Sequence, residues 1–213
     1  PDNHRPSSIT IGNFDGLHIG HIELLKNTIA LAKANNTVPV VLSFDPMPEE
    51  YFRNEYFFRL MSNTEKSEFI KDYGIEEVIL IPFNEEFSKM NEKRFIDEVL
   101  VKKLNAKNII VGNDFRFGHK RVGNIELLES YGHDKGIEVT IVNLIEVSGK
   151  KISSTSIRKL LISGKILEAN HLLRKPFSIQ GEIIHGEKLG RELGYPTANI
   201  EIYKSYPING IFL

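Results

Sequence analysis

Apolar positions recur along this chain in two alternating rhythms. Short apolar, largely β-branched runs stand at 9–11, 38–44, 78–82, 108–112 and 137–142, each of strand length. Between them the spacing lengthens to that of a helix face. In 22–34, Ile22, Leu25, Ile29 and Ala32 fall on one side. Further helices are predicted over 64–73, 91–104, 124–135 and 154–162. Thr64 is the predicted N-cap of the first of these, and Gly74 its stop. Pro46 and Pro48 predict a loop at 45–48, because proline cannot serve a central strand. Strands alternating with helices predict an α/β fold with a doubly wound parallel sheet. Ligands of such sheets bind at the carboxyl ends of the strands, so the loops after Ile11, Phe44 and Val111 are expected to line a site.

The rhythm changes near Gly164. One more helix follows, then Pro176, an alternating strand over 177–184 and a glycine-rich stretch. The expected organisation is a first domain at 1–163, a linker helix at 164–175, and the start of a β-rich second domain at 176–213. The last residues, "YPINGIFL", are apolar and begin a strand, so the chain is expected to stop inside that second domain. Its first residue is Pro1, which suggests a trimmed start.

Composition narrows the function. Of 213 residues, 41% are apolar and 26% charged, enough to bury a core, and the net charge of −1 provides no global field for nucleic acid. There are no cysteines, which excludes disulfides, thiolate zinc sites and cysteine catalysis. No apolar run approaches the roughly eighteen residues of a membrane span, and no secretory signal opens the chain. A cytoplasmic protein with small-molecule partners is expected, with neither nucleic acid nor membrane among them.

Chemistry concentrates in four stretches. "GNFDGLHIGH" (12–21) follows the first strand and enters the first helix. Its glycines Gly12, Gly16 and Gly20 allow a sharp turn and close approach to a ligand. The helix start offers N–H groups to phosphate. His18 and His21, three apart, share a face and can donate to the oxygens of a reacting phosphate. The stretch is not a P-loop, because no Gly-Lys-Ser/Thr follows. A two-histidine metal site lacks an evident third ligand nearby. A purely structural glycine turn remains the plain alternative.

"IIVGNDFRFGHKRVGN" (109–124) places Phe115 and Phe117 among charges, and from Lys102 to Arg121 there are six Lys or Arg and one acid, Asp114. Rings between charges suit a planar ligand beside phosphates, although a solvated basic loop has the same composition. "ISSTSIR" (152–158) sets small hydroxyls at a helix start and Arg158 one turn in, either a common cap or an anion seat. "GEKLGRELGYPTANI" (186–200) has three glycines, and its Thr197 and Asn199 oxygens suit Mg²⁺.

These stretches, in this order, resemble the bacterial bifunctional riboflavin kinase/FAD synthetases. His18-Ile19-Gly20-His21 matches the HxGH signature of the nucleotidyltransferases. "GNFDGLHIGH" is similar to the FMN adenylyltransferase module, 109–124 to GxDFxFGxxxxGN, and 152–158 to ISSTxIR. The resemblance implies a Rossmann-like nucleotidyltransferase domain, followed by the truncated start of a β-barrel riboflavin kinase. It implies transfer of AMP from ATP to FMN, giving FAD and pyrophosphate, with Mg²⁺ accompanying ATP. His18, His21 and Arg158 would be catalytic. ATP would be held by Gly12, Phe14, Asp15, Gly16, His18, His21, Ser153, Ser154, Thr155 and Arg158. The flavin would meet Phe44, Met47, Phe52, Phe95, Asp114 and Phe117. Thr197 and Asn199 would serve metal in the kinase module, whose substrate is riboflavin.

The chain departs from the family pattern twice. Met47 stands in "SFDPMPEEYF" where the family usually has histidine, and "LLRKPF" (172–177) replaces the usual Leu-Gly-Arg-Pro-Tyr join. The kinase module needs a longer barrel and a later acidic base, so these 213 residues are not expected to phosphorylate riboflavin. Two other readings stay open: a flavin- or nucleotide-binding regulator of the same fold that does not catalyse, and an HxGH transferase acting on a phosphopantetheine or a small alcohol phosphate.

Overall fold

The computed structural model describes residues 5–52, 57–143, 146–147, 150–184, 194 and 199–201. Five strands form one parallel sheet: β1 (Ser7–Ile11), β2 (Val38–Asp45), β3 (Glu77–Pro82), β4 (Ala106–Gly112) and β5 (Glu138–Val142), in the order β3-β2-β1-β4-β5. The order reverses direction beside β1. The chain leaves β1 for β2 on one side and crosses from β3 to β4 on the other, so the loops after β1 and β4 part and open a crevice at the carboxyl edge.

Strand periodicity sorts the core into two layers. Ile9, Ile11, Val40, Leu42, Ile109 and Val111 face one side, against Phe95, Ile96, Val99 and Leu100. Val41 faces the other, with Leu17, Leu25 and Ile70. That second side carries α1 (Ile19–Asn35) and α3 (Asn63–Asp72). The expected doubly wound parallel α/β arrangement is what forms. A third cluster joins Phe58 and Leu60 to α7 (Ser154–Ile162) and α8 (Ile166–Leu173). The remaining elements are α2 (Pro48–Phe52), α4 (Glu85–Ser88), α5 (Glu92–Arg94), α6 (Ile125–His133) and the two-residue strands β6 (Glu146–Val147) and β7 (Lys150–Lys151).

Several boundaries differ from the sequence expectation, each for a local reason. Helix α1 begins at Ile19 rather than 22, because the His18 carbonyl already accepts from the N–H groups of His21 and Ile22 at 2.8 and 3.1 Å. Ser62, not Thr64, caps α3. Its hydroxyl accepts from the Glu65 N–H at 3.1 Å, and the Glu65 carboxylate returns the bond to the Ser62 N–H at 2.7 Å. The helix expected over 91–104 is divided. Asn84 and Asn91 cap the short turns α4 and α5, and a wider helix runs from Phe95 to Lys103. The wide turns show in the Leu104 N–H reaching the Val99 carbonyl, five residues back, at 3.1 Å.

The alternating strand expected over 177–184 is shortened to β8 (Glu182–Ile184), paired antiparallel with β9 (Asn199–Glu201). Phe177 packs on the α7–α8 cluster instead, and its N–H donates to Asn170 Oδ1 at 2.7 Å. Asn199 lies on β9 and is exposed. Thr197 lies outside the described residues.

Candidate active site

The carboxyl ends of β1, β4 and β5 open onto a cleft of about 320 Å³. Its walls come from the loop after β1, the loop after β4 and the first turn of α7. The loops after Ile11, Phe44 and Val111 all contribute.

His18 occupies the N-cap position of α1, with extended backbone angles. His21 lies one turn into the helix. Their rings stack with centroids 3.7 Å apart and planes inclined by 17°. Phe14 backs the pair, 5.0 Å from the His21 ring. Nδ1 of each histidine is buried without a hydrogen-bond partner among the described residues. Burial lowers His18 to about 4. Burial also lowers His21 well below its ordinary value, with the nearby His18 and Lys66 adding to the effect. Both rings are thus neutral near pH 7, with polar nitrogens left over for a ligand. A buried polar atom without a partner is costly, and a phosphate oxygen or hydroxyl would relieve it.

Opposite stands the start of α7. Ser153 caps it, accepting from the Ser156 N–H at 3.1 Å. The Ser154 hydroxyl donates to the Asp15 carbonyl at 2.8 Å, stitching α7 to the histidine loop. These two hydroxyls therefore build the site's walls. Thr155 is exposed at the cleft, where the first-turn N–H groups of α7 could receive an anion.

Arg158 is held on three sides. Its Nε donates to the Phe58 carbonyl at 2.8 Å, Nη2 pairs with Asp15, and the guanidinium lies 4.3 Å from the Phe57 ring centroid. Asp15 is 2% exposed and also accepts from the Leu60 N–H at 2.9 and 3.1 Å. Burial raises the Asp15 carboxyl, against the pull of Arg158. Asp15 therefore orients Arg158, and its oxygens are engaged with the protein. Glu49 of α2 approaches Arg158 Nη1 at 3.8 Å and also lines the cleft.

Of the other residues expected at ATP, Gly12 lines the cleft, while Phe14 and Gly16 lie behind it. Gly16 has φ +82°, and a Cβ there would come within 2.7 Å of Leu60. It is a turn and packing glycine. On the flavin side, Phe44 and Asp114 line the cleft, with Asp114 paired to Lys151. Met47, Phe95 and Phe117 are buried at 2%, 4% and 7% exposure, in the core rather than on the cleft wall. Phe52 is 67% exposed and packs edge-on against Tyr51 and Phe83, outside the cleft.

Phe115, expected from the sequence as a ring for a planar ligand, is at the cleft, and the geometry adds Arg116, Arg121, Lys151 and Asn143 beside it, which the expected contacts did not include. Phe115 stacks on Phe117, 5.5 Å between centroids, and is the half-buried member of that pair at the cleft. The alternation after β4 held that signal, since one of two rings two apart must face the core. Among the described residues no helix is long and apolar enough to cross a membrane, and no group of three or more His, Asp or Glu is placed to hold a metal.

Comparison with known proteins gives two family matches. The FAD synthetase family model matches residues 1–156, and the riboflavin kinase model matches 173–213. A bifunctional riboflavin kinase/FMN adenylyltransferase of Buchnera aphidicola subsp. Schizaphis graminum is 46% identical over 205 residues, covering 95% of this chain and 66% of that protein. The protein of the same description from Escherichia coli K12 is 36% identical, covering 96% of this chain and 66% of its own length. The chain thus spans 66% of the length of each of these relatives. Among solved structures, one described as a macrolide-efflux protein from Streptococcus pneumoniae superposes with a TM-score of 0.85 at 32% identity, covering 96% of this chain and 68% of that one.

Proposed function

This chain belongs to the FAD synthetase family, and from that membership we propose that it is an FMN adenylyltransferase, making FAD and pyrophosphate from FMN and ATP. The observation that carries the reading is the stacked His18–His21 pair facing the start of α7 and Arg158 across one cleft. An oxygen of the FMN phosphate attacks the α-phosphorus of ATP. A new O–P bond forms, the bond from Pα to the bridging oxygen breaks, and pyrophosphate leaves with that electron pair. FMN is ionised near pH 7, so no strong base is needed. The protein supplies position and charge stabilisation. His18 and His21 donate to the transferring phosphoryl oxygens. Thr155, the α7 N–H groups and Arg158 meet the departing pyrophosphate. Mg²⁺ enters as part of the ATP substrate.

The basic side of the cleft, Arg116 and Arg121, suits the FMN phosphate, and Phe44 with Phe115 suits the flavin ring. We place the adenylyltransferase domain at 1–163, a linker helix at 164–175 and the opening of a riboflavin kinase β-barrel at 176–213. Family-model limits at 156 and 173 support that division. Thr197 and Asn199 would bind the metal and nucleotide of that module.

The test is FAD formation by purified protein with FMN, ATP and Mg²⁺, followed by chromatography, with pyrophosphate release in parallel. FAD and pyrophosphate in equal amounts are expected. His21→Ala should lower kcat by about 10²–10³-fold, the usual cost of one transition-state donor, with KM for ATP little changed. FMN and ATP bound without pyrophosphate release would instead identify a non-catalytic flavin-binding regulator.

A further inference from the structure

Lys66 is a buried cation. It lies on α3 and is only 2% exposed. Its Nζ donates to the Asn13 carbonyl at 3.2 Å and to Ser43 Oγ at 3.1 Å. The Ser43 hydroxyl donates to the same Asn13 carbonyl at 3.2 Å. Three elements thus meet at one ammonium: the loop after β1, the end of β2, and α3. Both direct partners are neutral oxygens, so neither cancels the charge.

The consequence falls on the histidine loop. Asn13 lines the cleft. Its carbonyl is turned to Lys66, and in a planar trans peptide the following N–H, that of Phe14, points the opposite way. Phe14 then adopts φ +50°, which a bulky residue rarely takes without being held there. Lys66 supplies a hold. Leu17, just before His18, is also at positive φ, +45°, so the turn that delivers His18 and His21 holds two residues in this conformation.

We propose that Lys66 is a positioning residue for the nucleotide phosphates: from behind the loop at 12–16 it fixes the Asn13 peptide and sets a buried positive charge beneath the histidine pair. This rests on the adenylyl-transfer reading above. Lys66 does not line the cleft and touches no substrate. It acts through the loop and through its field.

That charge is titratable. Burial lowers Lys66 to about 8. The groups facing it are Asp15 from the loop, Asp45 at the end of β2, Glu50 on α2, Arg59 before α3 and His21 on α1. Asp15 is engaged by Arg158, and Asp45 and Glu50 by Arg59. Below about pH 8 Lys66 is charged and the phosphate site keeps its cation. Above it the charge is lost, so turnover should fall on the alkaline side. A bound polyanion favours the charged form and should raise the value.

The experiment uses the full chain, wild type and Lys66→Met. It records kcat and KM for ATP from pH 6 to 10, and the melting temperature. At pH 7 the variant should lose at least tenfold in kcat, lose the alkaline limb that wild type shows near pH 8 in kcat/KM and at higher pH in kcat, and melt no lower than wild type, since a buried cation has been removed. Unchanged kcat, an alkaline limb that persists in the variant, or a loss confined to KM would overturn the proposal. A second measurement needs no variant: ¹⁵N NMR titration of the Lys66 Nζ in wild type, with and without saturating ATP. A midpoint near 8 that rises by half a unit or more with ATP supports the proposal, and a midpoint indifferent to ATP refutes it. Wild type that binds ATP and shifts Lys66, yet makes no FAD, would refute the adenylyl-transfer reading while keeping the link between lysine and phosphate. Wild type that binds no ATP would end both.

Discussion

His18 and His21 are held neutral by a dry environment, and this has a cost in acid. The unfolded chain protonates each imidazole near the ordinary 6.5, whereas folded His18 resists until about 4. Between those values the unfolded state binds more protons, so stability rises with pH and is lost as pH falls from about 6.5 toward 4. Asp15, its carboxyl raised by burial, works in the opposite sense. Comparison of His18→Gln with wild type isolates the imidazole. Urea unfolding at pH 7, 6 and 5 should show wild type weakening faster than His18→Gln. Parallel losses in the two proteins would mean that His18 is already solvated. The same dryness explains the reading of single residues. Two histidines three apart point to a shared face, but their 3.7 Å stacking and the Phe14 wall behind them arise from packing. Asp15 could be named from a motif, yet its engagement with Arg158 and Leu60, 143 and 45 residues away, could not.

Helix α7 is where a local signal and a distant partner meet. Its start at Ser154 follows from the Ser-Ser-Thr-Ser run, and the reciprocal Ser153–Ser156 bonds satisfy the first-turn donors. Ser153→Ala should cost about 1 kcal/mol of stability and, if the proposed phosphate site is right, weaken ATP binding by loosening its α7 turn. Denaturant midpoints and nucleotide titration would show both effects. A change in stability alone would limit α7 to scaffolding. The helices that sequence misplaced are those whose caps compete. Ser62, Thr64, Asn84 and Asn91 are all capable N-caps, and local pattern cannot rank them. Burial of Phe95, Ile96, Val99 and Leu100 against the sheet decided the wide helix that follows α5.

For the molecule as a whole, the parallel sheet in the order β3-β2-β1-β4-β5 brings the loop after β1, the loop after β4 and α7 to one edge. The nucleophile in the proposed reaction is a phosphate oxygen, so riboflavin, which lacks one, should yield no FAD with this chain and ATP, whereas FMN should. FAD formed from riboflavin in a chromatographic assay would require a kinase activity within these 213 residues.

Sequence by itself determined the five strands of the parallel sheet, the cap of α7 and the family, because periodicity, capping residues and glycine turns are local properties written in neighbouring positions. It also pointed to the histidine pair and the α7 turn, which the fold brings to one cleft. Which residues reach the cleft was decided only by tertiary structure. Phe115 lines it while Phe117 sinks into the core, and Asp114 is taken by Lys151. Lys66 is a buried cation in the fold, which its neighbours in the chain do not announce. Burial and pairing depend on what the rest of the chain brings to a side chain, and no window of neighbouring residues contains that.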